Sequence, residues 1–194
     1  MLPNLPSRTL HIVNGDALAQ QLKTHGLSGE FFPWRELLHE GPVPFSGEVR
    51  ELASARGSFL DRQVGGAFGD GEQTVTANFN QLLAADAFEA VRFWFEPDLF
   101  DQLQLLQILS FAQQQEALAK VLIQKARVIV AHDMYPNLDA FALMQLAESA
   151  VPVDVEMLDT ANVAWYAYTS PSPQDWPTLA TIELPEALRF VPSA

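Results

Sequence analysis

The sequence predicts an α/β fold: a mostly parallel sheet with flanking helices, in a Rossmann-like or flavodoxin-like three-layer arrangement, followed by a small helical C-terminal region. Three observations carry this expectation. Short apolar, β-branched or aromatic runs at Leu10–Val13, Glu30–Trp34 and Ala90–Phe95 each end in polar or turn-forming residues. Segments with apolar residues at helical spacing lie between them, the alternation that builds parallel βαβ units. From Tyr135 onward the texture changes, with prolines at 136, 152, 171, 173, 177, 185 and 192 and two helix-like stretches. The expected division is therefore 1–134 for the α/β part and 135–194 for the helical part.

In chain order, residues 1–8 hold two prolines and are expected as an extended arm. Leu10–Val13 closes on Asn14-Gly15-Asp16. Ala17–His25 follows as a helix, with Leu18 and Leu22 four apart and Gly26 as its stop. His11 falls inside the strand and reads as a core or sheet histidine; His25 reads as a C-terminal helix residue favoured by the dipole. A second strand, Glu30–Trp34, leads into a loop punctuated by Gly and Pro, Arg35–Pro44. Glu48–Val64 reads as a helix with Val49, Leu52, Phe59 and Leu60 as its apolar points. Gly65–Gly71 holds four glycines and reads as a loop; no GK[ST] follows, so it is not a phosphate cradle. A helix from Glu72 or Thr74 to Ala85 precedes the central strand Ala90–Phe95.

The helix from Asp98 to about Gln115 carries a stripe of Leu99, Leu103, Leu106 and Leu109, joined by Phe100, Ile108 and Phe111. So broad an apolar face suits packing on a sheet. Beyond it two short runs compete for the fourth strand, Lys120–Ile123 and Arg127–Ala131, the latter ending at His132-Asp133. Helices are expected near Leu138–Glu148 and Val155–Tyr168, with Trp165, Tyr166 and Tyr168 clustered. The favoured strand order is 2-1-3-4, ahead of 3-2-1-4.

Composition excludes several function classes. Of 194 residues 48% are hydrophobic and 18% charged, enough apolar material for a sizeable core. Lys and Arg number 11 against 24 Asp and Glu, a formal net charge of -13. That lacks the basic footprint of phosphate-backbone binding, so no nucleic-acid partner is expected. There is no cysteine, which rules out disulfides, thiolate nucleophiles and Cys-based zinc or iron–sulfur sites. No apolar run approaches the roughly 20 residues that span a bilayer, so no membrane partner is expected. The first residues lack the pattern of a secretory signal, and a cytoplasmic location is expected.

In a parallel sheet the carboxyl ends of all strands share one edge, and ligands bind there where strand order reverses. The polar strand ends would then converge: Asn14 and Asp16, Trp34 and Arg35 with His39 and Glu40 nearby, Glu96 and Asp98, and His132-Asp133. Asp16 and Asp98 each directly precede an expected helix, so both also suit the N-cap. His39 in its Gly/Pro-flanked loop suits a general base, oriented by Glu40, Glu96 or Asp98. Arg35 would be the partner of a substrate anion. Asp16, His39, Glu96 and Asp98 suit a divalent metal such as Mg²⁺, Mn²⁺ or Zn²⁺ by ligand type, without an HExxH spacing to support it. No GxSxG occurs. The absence of GxGxxG after the first strand means no dinucleotide is expected. Trp34, Trp94 and Trp165 read as core or cleft-wall residues.

The runs His11-Ile12-Val13-Asn14-Gly15-Asp16, Trp34 to Pro44 and Trp94 to Leu106 together resemble a bacterial family called domain of unknown function 1835. The match spans roughly residues 9–112, with a weaker echo at Ala164–Pro171. The resemblance implies no activity. It implies that Asn14, Asp16, Arg35, His39, Glu40, Glu96, Asp98, Asp101 and Gln102 occupy the family's characteristic positions, which adds Asp101 and Gln102 to the ligand-binding set. Members of that family often carry His where Pro97 stands, and the part around Lys120–Asn137 departs from their pattern. They tend to run on past the position of Ala194, so a shortened C-terminus is expected. The pattern leaves two functions open. One is a hydrolase or transferase acting on a small polar molecule, with His39, Asp98 and Glu96 catalytic. The other is a non-catalytic module that binds a small ligand or a protein through the same edge. A third, purely structural role would show as an exposed apolar patch on the C-terminal region.

Overall fold

Strand β1 (Thr9–Asn14) is buried along its whole length except at Asn14. Burial on both faces is what a central strand of a covered parallel sheet requires. A computed structural model describes residues 5–45, 48–130, 135 and 138–188 of the chain. After β1 come α1 (Gly15–Thr24), β2 (Glu30–Trp34), α2 (Val49–Val64), α3 (Gly71–Leu83), β3 (Ala90–Phe95) and α4 (Leu99–Gln113). The remainder is α5 (Glu116–Lys125), β4 (Ala126–Val130), α6 (Ala140–Ser149), β5 (Val151–Pro152), α7 (Val155–Thr169) and α8 (Pro177–Thr181), with short 3₁₀ turns at Ala84–Ala87 and Glu186–Leu188.

The sheet order is β2-β1-β3-β4-β5. The first four strands are parallel and β5 runs antiparallel to β4. The α/β class and the 2-1-3-4 order expected from sequence are both present. Side-chain alternation splits the core in two. Leu10, Ile12, Val91, Phe93, Phe95 and Val128 face one layer, packed with residues of α2, α3, α4, α5 and α7. Val13, Trp94 and Ile129 face the other, with α1 and α6.

Four features depart from the sequence reading. Lys120–Ile123 is helical, inside α5, because Leu118 and Leu122 bury one side of a turn while Glu116 and Lys120 pair on the other. Asp16 is not the cap of α1: the cap position is Asn14, and Asp16 lies in the first turn. Gly71 belongs to α3 and not to the preceding loop. A Cβ on it would stand 2.3 Å from the Gly57 carbonyl oxygen, so glycine at both positions lets α2 and α3 touch backbone to backbone. The C-terminal part is not only helical, since β5 extends the sheet and α7 packs on α4. His132 and Asp133, the expected end of the fourth strand, lie outside the described residues, as do residues 1–4 of the expected arm.

Helix α4 is more enclosed than a surface stripe implies. Every residue from Asp101 to Ala112 is buried. The sheet covers one side and α7 another, joined by a 2.9 Å hydrogen bond from Ser110 to Asn162. An all-round buried helix is the expected outcome of its high apolar content.

His11 is a core histidine, as its place in the strand suggests. Its Nδ1 accepts from the Trp94 indole at 3.0 Å and its Nε2 faces the Ser28 carbonyl at 3.1 Å. That pairing fixes the Nε2–H tautomer of the neutral ring. Burial pushes its pKa down to about 4. The folded state thus binds the proton less readily than the unfolded chain does. The resulting stability is complete above about pH 6.5, the ordinary histidine value, and is lost as pH falls toward 4. The urea midpoint should drop between these pH values. His11→Leu should flatten that part of the profile while leaving the Trp94 indole without its acceptor. An unchanged profile in His11→Leu would contradict the assignment.

Candidate functional site

Strand order reverses between β1 and β3, because β2 was laid on the other side of β1. The carboxyl edge at that point holds a cleft of about 420 Å³, bounded by Asn14, Gln21, Glu96, Asp101 and Tyr135 with Ala17 and Leu18. Both the place and the size suit a small ligand.

The β3–α4 turn braces itself. Asp98 caps α4, its Oδ1 accepting from the Asp101 amide at 3.0 Å. Side chains in a helix lean toward its N-terminus, so Asp101 and Gln102 reach back to the strand end. The Glu96 amide donates to Asp101 Oδ2 at 2.6 Å, and Gln102 Nε2 donates to the Glu96 carbonyl at 3.0 Å. The other Asp101 oxygen accepts from Asn14 Nδ2 at the end of β1. Gln104 Nε2 donates to Asn14 Oδ1 at 3.2 Å and to the Glu36 carbonyl at 2.9 Å.

Asp101 is fully buried. Burial pushes its pKa up to about 8, and the neighbouring charges of Asp98 and Glu96 push the same way, against the donors from the Glu96 amide and Asn14. Its proton is therefore held more tightly than that of an ordinary aspartate. A perturbed acid in a cleft at a sheet edge is a group suited to passing a proton.

Tyr135 closes the cleft. Its amide donates to the Glu96 carboxylate, its hydroxyl donates to the Phe95 carbonyl at 3.2 Å, and its carbonyl accepts from Gln21 Nε2 at 2.8 Å. Complete burial raises the pKa of that hydroxyl well above its ordinary value, so it serves as a donor and not as a base.

The edge does not gather every residue expected there. Arg35 is committed to Asp16 in a bidentate pair of 3.0 and 2.6 Å, which holds the Asp16 carboxyl below its usual range. Its guanidinium is therefore not the open anion partner that the sequence suggests. Trp34 is buried, its indole donating to Gln107 Oε1 at 3.2 Å, and is a core residue without access to a ligand. His39 pairs with exposed Glu40 at 3.4 Å and packs its ring on Phe100, so neither Glu96 nor Asp98 is its orienting carboxylate. Glu40 also accepts from Gln63 at 3.2 Å.

Asp16, His39, Glu96 and Asp98, which suit a metal by ligand type, do not form one cluster among the described residues. Among the described residues, the carboxylates that come within 4.8 Å of one another are Glu96, Asp98 and Asp101. Three nearby acids alone do not make a metal centre, and the raised proton affinity of Asp101 is one consequence of their crowding.

Other residues that the sequence pattern does not single out also contribute. Buried Glu36 and Arg56 form an ion pair of 2.7 Å, and Arg56 also donates to the carbonyls of Leu37, Glu40 and Pro42. It thereby shapes the loop that carries His39. The signal was an arginine in register with Leu52, Ala53 and Leu60 on the apolar face of α2. Gln104, Gln107 and Ser110 follow Asp101 at intervals of three, a polar stripe along an otherwise largely apolar helix. Comparison of the chain with family models, curated proteins and solved structures finds no match.

Two stability tests follow. Removing one member of a buried ion pair strands the other, so Arg56→Leu should cost about 3–5 kcal/mol. Asp98→Ala, which deletes a cap, should cost only about 1 kcal/mol. Urea denaturation measures both, and equal losses would refute the distinction.

Proposed function

We propose that the cleft between the ends of β1 and β3 binds a small polar molecule carrying a cationic or hydrogen-bond-donating group, and that Asp101 and Glu96 exchange protons with it, as in a hydrolase or transferase. The observation that carries this reading is the carboxyl of Asp101, buried at the reversal of strand order and joined there to the ends of both β1 and β3. Glu96 and Asp98 supply negative charge beside it. Asp16 is already paired with Arg35, and a bare anion would meet the acids of the β3–α4 turn. A donor-rich ligand would share hydrogen bonds with Glu96, Asn14 and Gln21. His39, the base expected from sequence, stands with Glu40 on a separate loop, so proton transfer falls to Asp101. Membership of the domain of unknown function 1835 family is part of the same proposal and rests on the three sequence runs.

A second reading has one observation in its favour. Among the described residues the only hydroxyl on the cleft is that of Tyr135, and it is committed to the Phe95 carbonyl. Without a free hydroxyl among the described lining residues, the cleft suits a non-catalytic binding module as well as a water-using enzyme.

Thermal-shift screening against small amines, amino alcohols and amides, with mass spectrometry for products, separates the readings. A ligand that raises Tm should bind at least about tenfold more weakly to Glu96→Gln, the loss of a charge-assisted hydrogen bond, and more weakly to Asp101→Asn, which cannot take up or release a proton. Arg35→Ala should bind as the wild type does. Product formation that disappears in Asp101→Asn supports catalysis, and binding without product supports the module. Undiminished affinity in both carboxamide variants would overturn the site.

A further inference from the structure

Gln104 is buried, yet among the described residues its Oε1 has no hydrogen-bond partner. A buried unpaired carbonyl oxygen costs free energy that leucine or methionine at the same place would avoid. Packing therefore does not explain the residue. Its nitrogen does: one NH₂ group serves both Asn14 Oδ1 and the Glu36 carbonyl. Both partners are acceptors, so the nitrogen and not the oxygen must face them.

The same logic then fixes Asn14. With its oxygen occupied by Gln104, the Asn14 amide must turn its nitrogen to Asp101. Were the Asn14 amide to flip, its oxygen would meet an Asp101 oxygen, and the carboxyl would lose its donor from β1. Gln104 is also tied, through the backbone of Glu36, to the segment that Arg56 holds.

We infer that Gln104 is a positioning residue for the cleft, locking the Asn14 amide so that a donor and not an acceptor faces the Asp101 carboxyl. This rests on the cleft being the site, but its test needs no ligand. In the wild-type chain, the Asn14 side-chain NH₂ signals in NMR should move with the same midpoint as the Asp101 carboxyl carbon. In Gln104→Met the Asn14 NH₂ should lose that dependence, and the Asp101 midpoint should rise by about one unit, the effect of removing a donor to the charged form. Asn14→Ala should raise it similarly, and Gln104→Met added to Asn14→Ala should raise it no further. An additive shift in the double variant, or Asn14 NH₂ signals that ignore Asp101 in the wild type, would overturn the inference. The wild-type measurement stands even where Gln104→Met fails to fold. Coupling of Asn14 to Asp101 with no ligand found would count against the proposed function alone.

Discussion

The carboxyl of Asp101 is the contact on which the rest of the site depends. One oxygen takes the amide hydrogen of Glu96 at the end of β3 and the other takes the side chain of Asn14 at the end of β1. A single buried group thus ties two adjacent strands to the first turn of α4. Burying it is costly, and the cost appears as proton affinity: the neutral form is favoured because water is absent and two more acids stand near. The geometry that secures the turn is also the geometry that brings the acid into a useful range. Local strain or unusual ionisation tolerated at one place in an otherwise consistent fold is a mark of function.

Much of the frame was legible in the sequence. The three early strands and their polar ends follow from short apolar runs bounded by turn residues, and the order 2-1-3-4 is one of two that this pattern admits. The β3–α4 turn was readable too, because Asp98 is a capping residue directly before an apolar helix. The site was only partly legible. Asn14, Glu96 and Asp101 meet at one edge because parallel strands put their ends together. Arg35 and Trp34 sit at the same strand end, but sequence spacing does not reveal which side chain turns inward. Trp34 turns into the core and Arg35 folds back on Asp16. His39 lies only a few residues beyond, yet Arg56 pins its loop, and a partner far along the chain leaves no local trace.

The charge balance takes on a different meaning at the site. A net charge of -13 suggests uniform repulsion of anions. Locally, Arg35 pairs with Asp16, and burial raises the proton affinity of Asp101, so the acids at this edge do not act as equal charges. The polar residues within α4 follow a related pattern. Gln102 braces the turn, Gln104 holds Asn14, and Gln107 holds Trp34. A helix enclosed on all sides could have been wholly apolar; these amides give it one orientation relative to the strand ends.

The ionisation of Asp101 in the folded, unliganded protein tests this picture most directly. Carbon-13 NMR of the aspartate carboxyl groups, with Asp101→Asn to assign the signal, gives its midpoint. Burial and the neighbouring acids predict a midpoint raised to about 8. A midpoint at or below 4, the ordinary range of an aspartate in water, would mean that the carboxyl is solvated or unpaired and that the two strand ends are not joined through it.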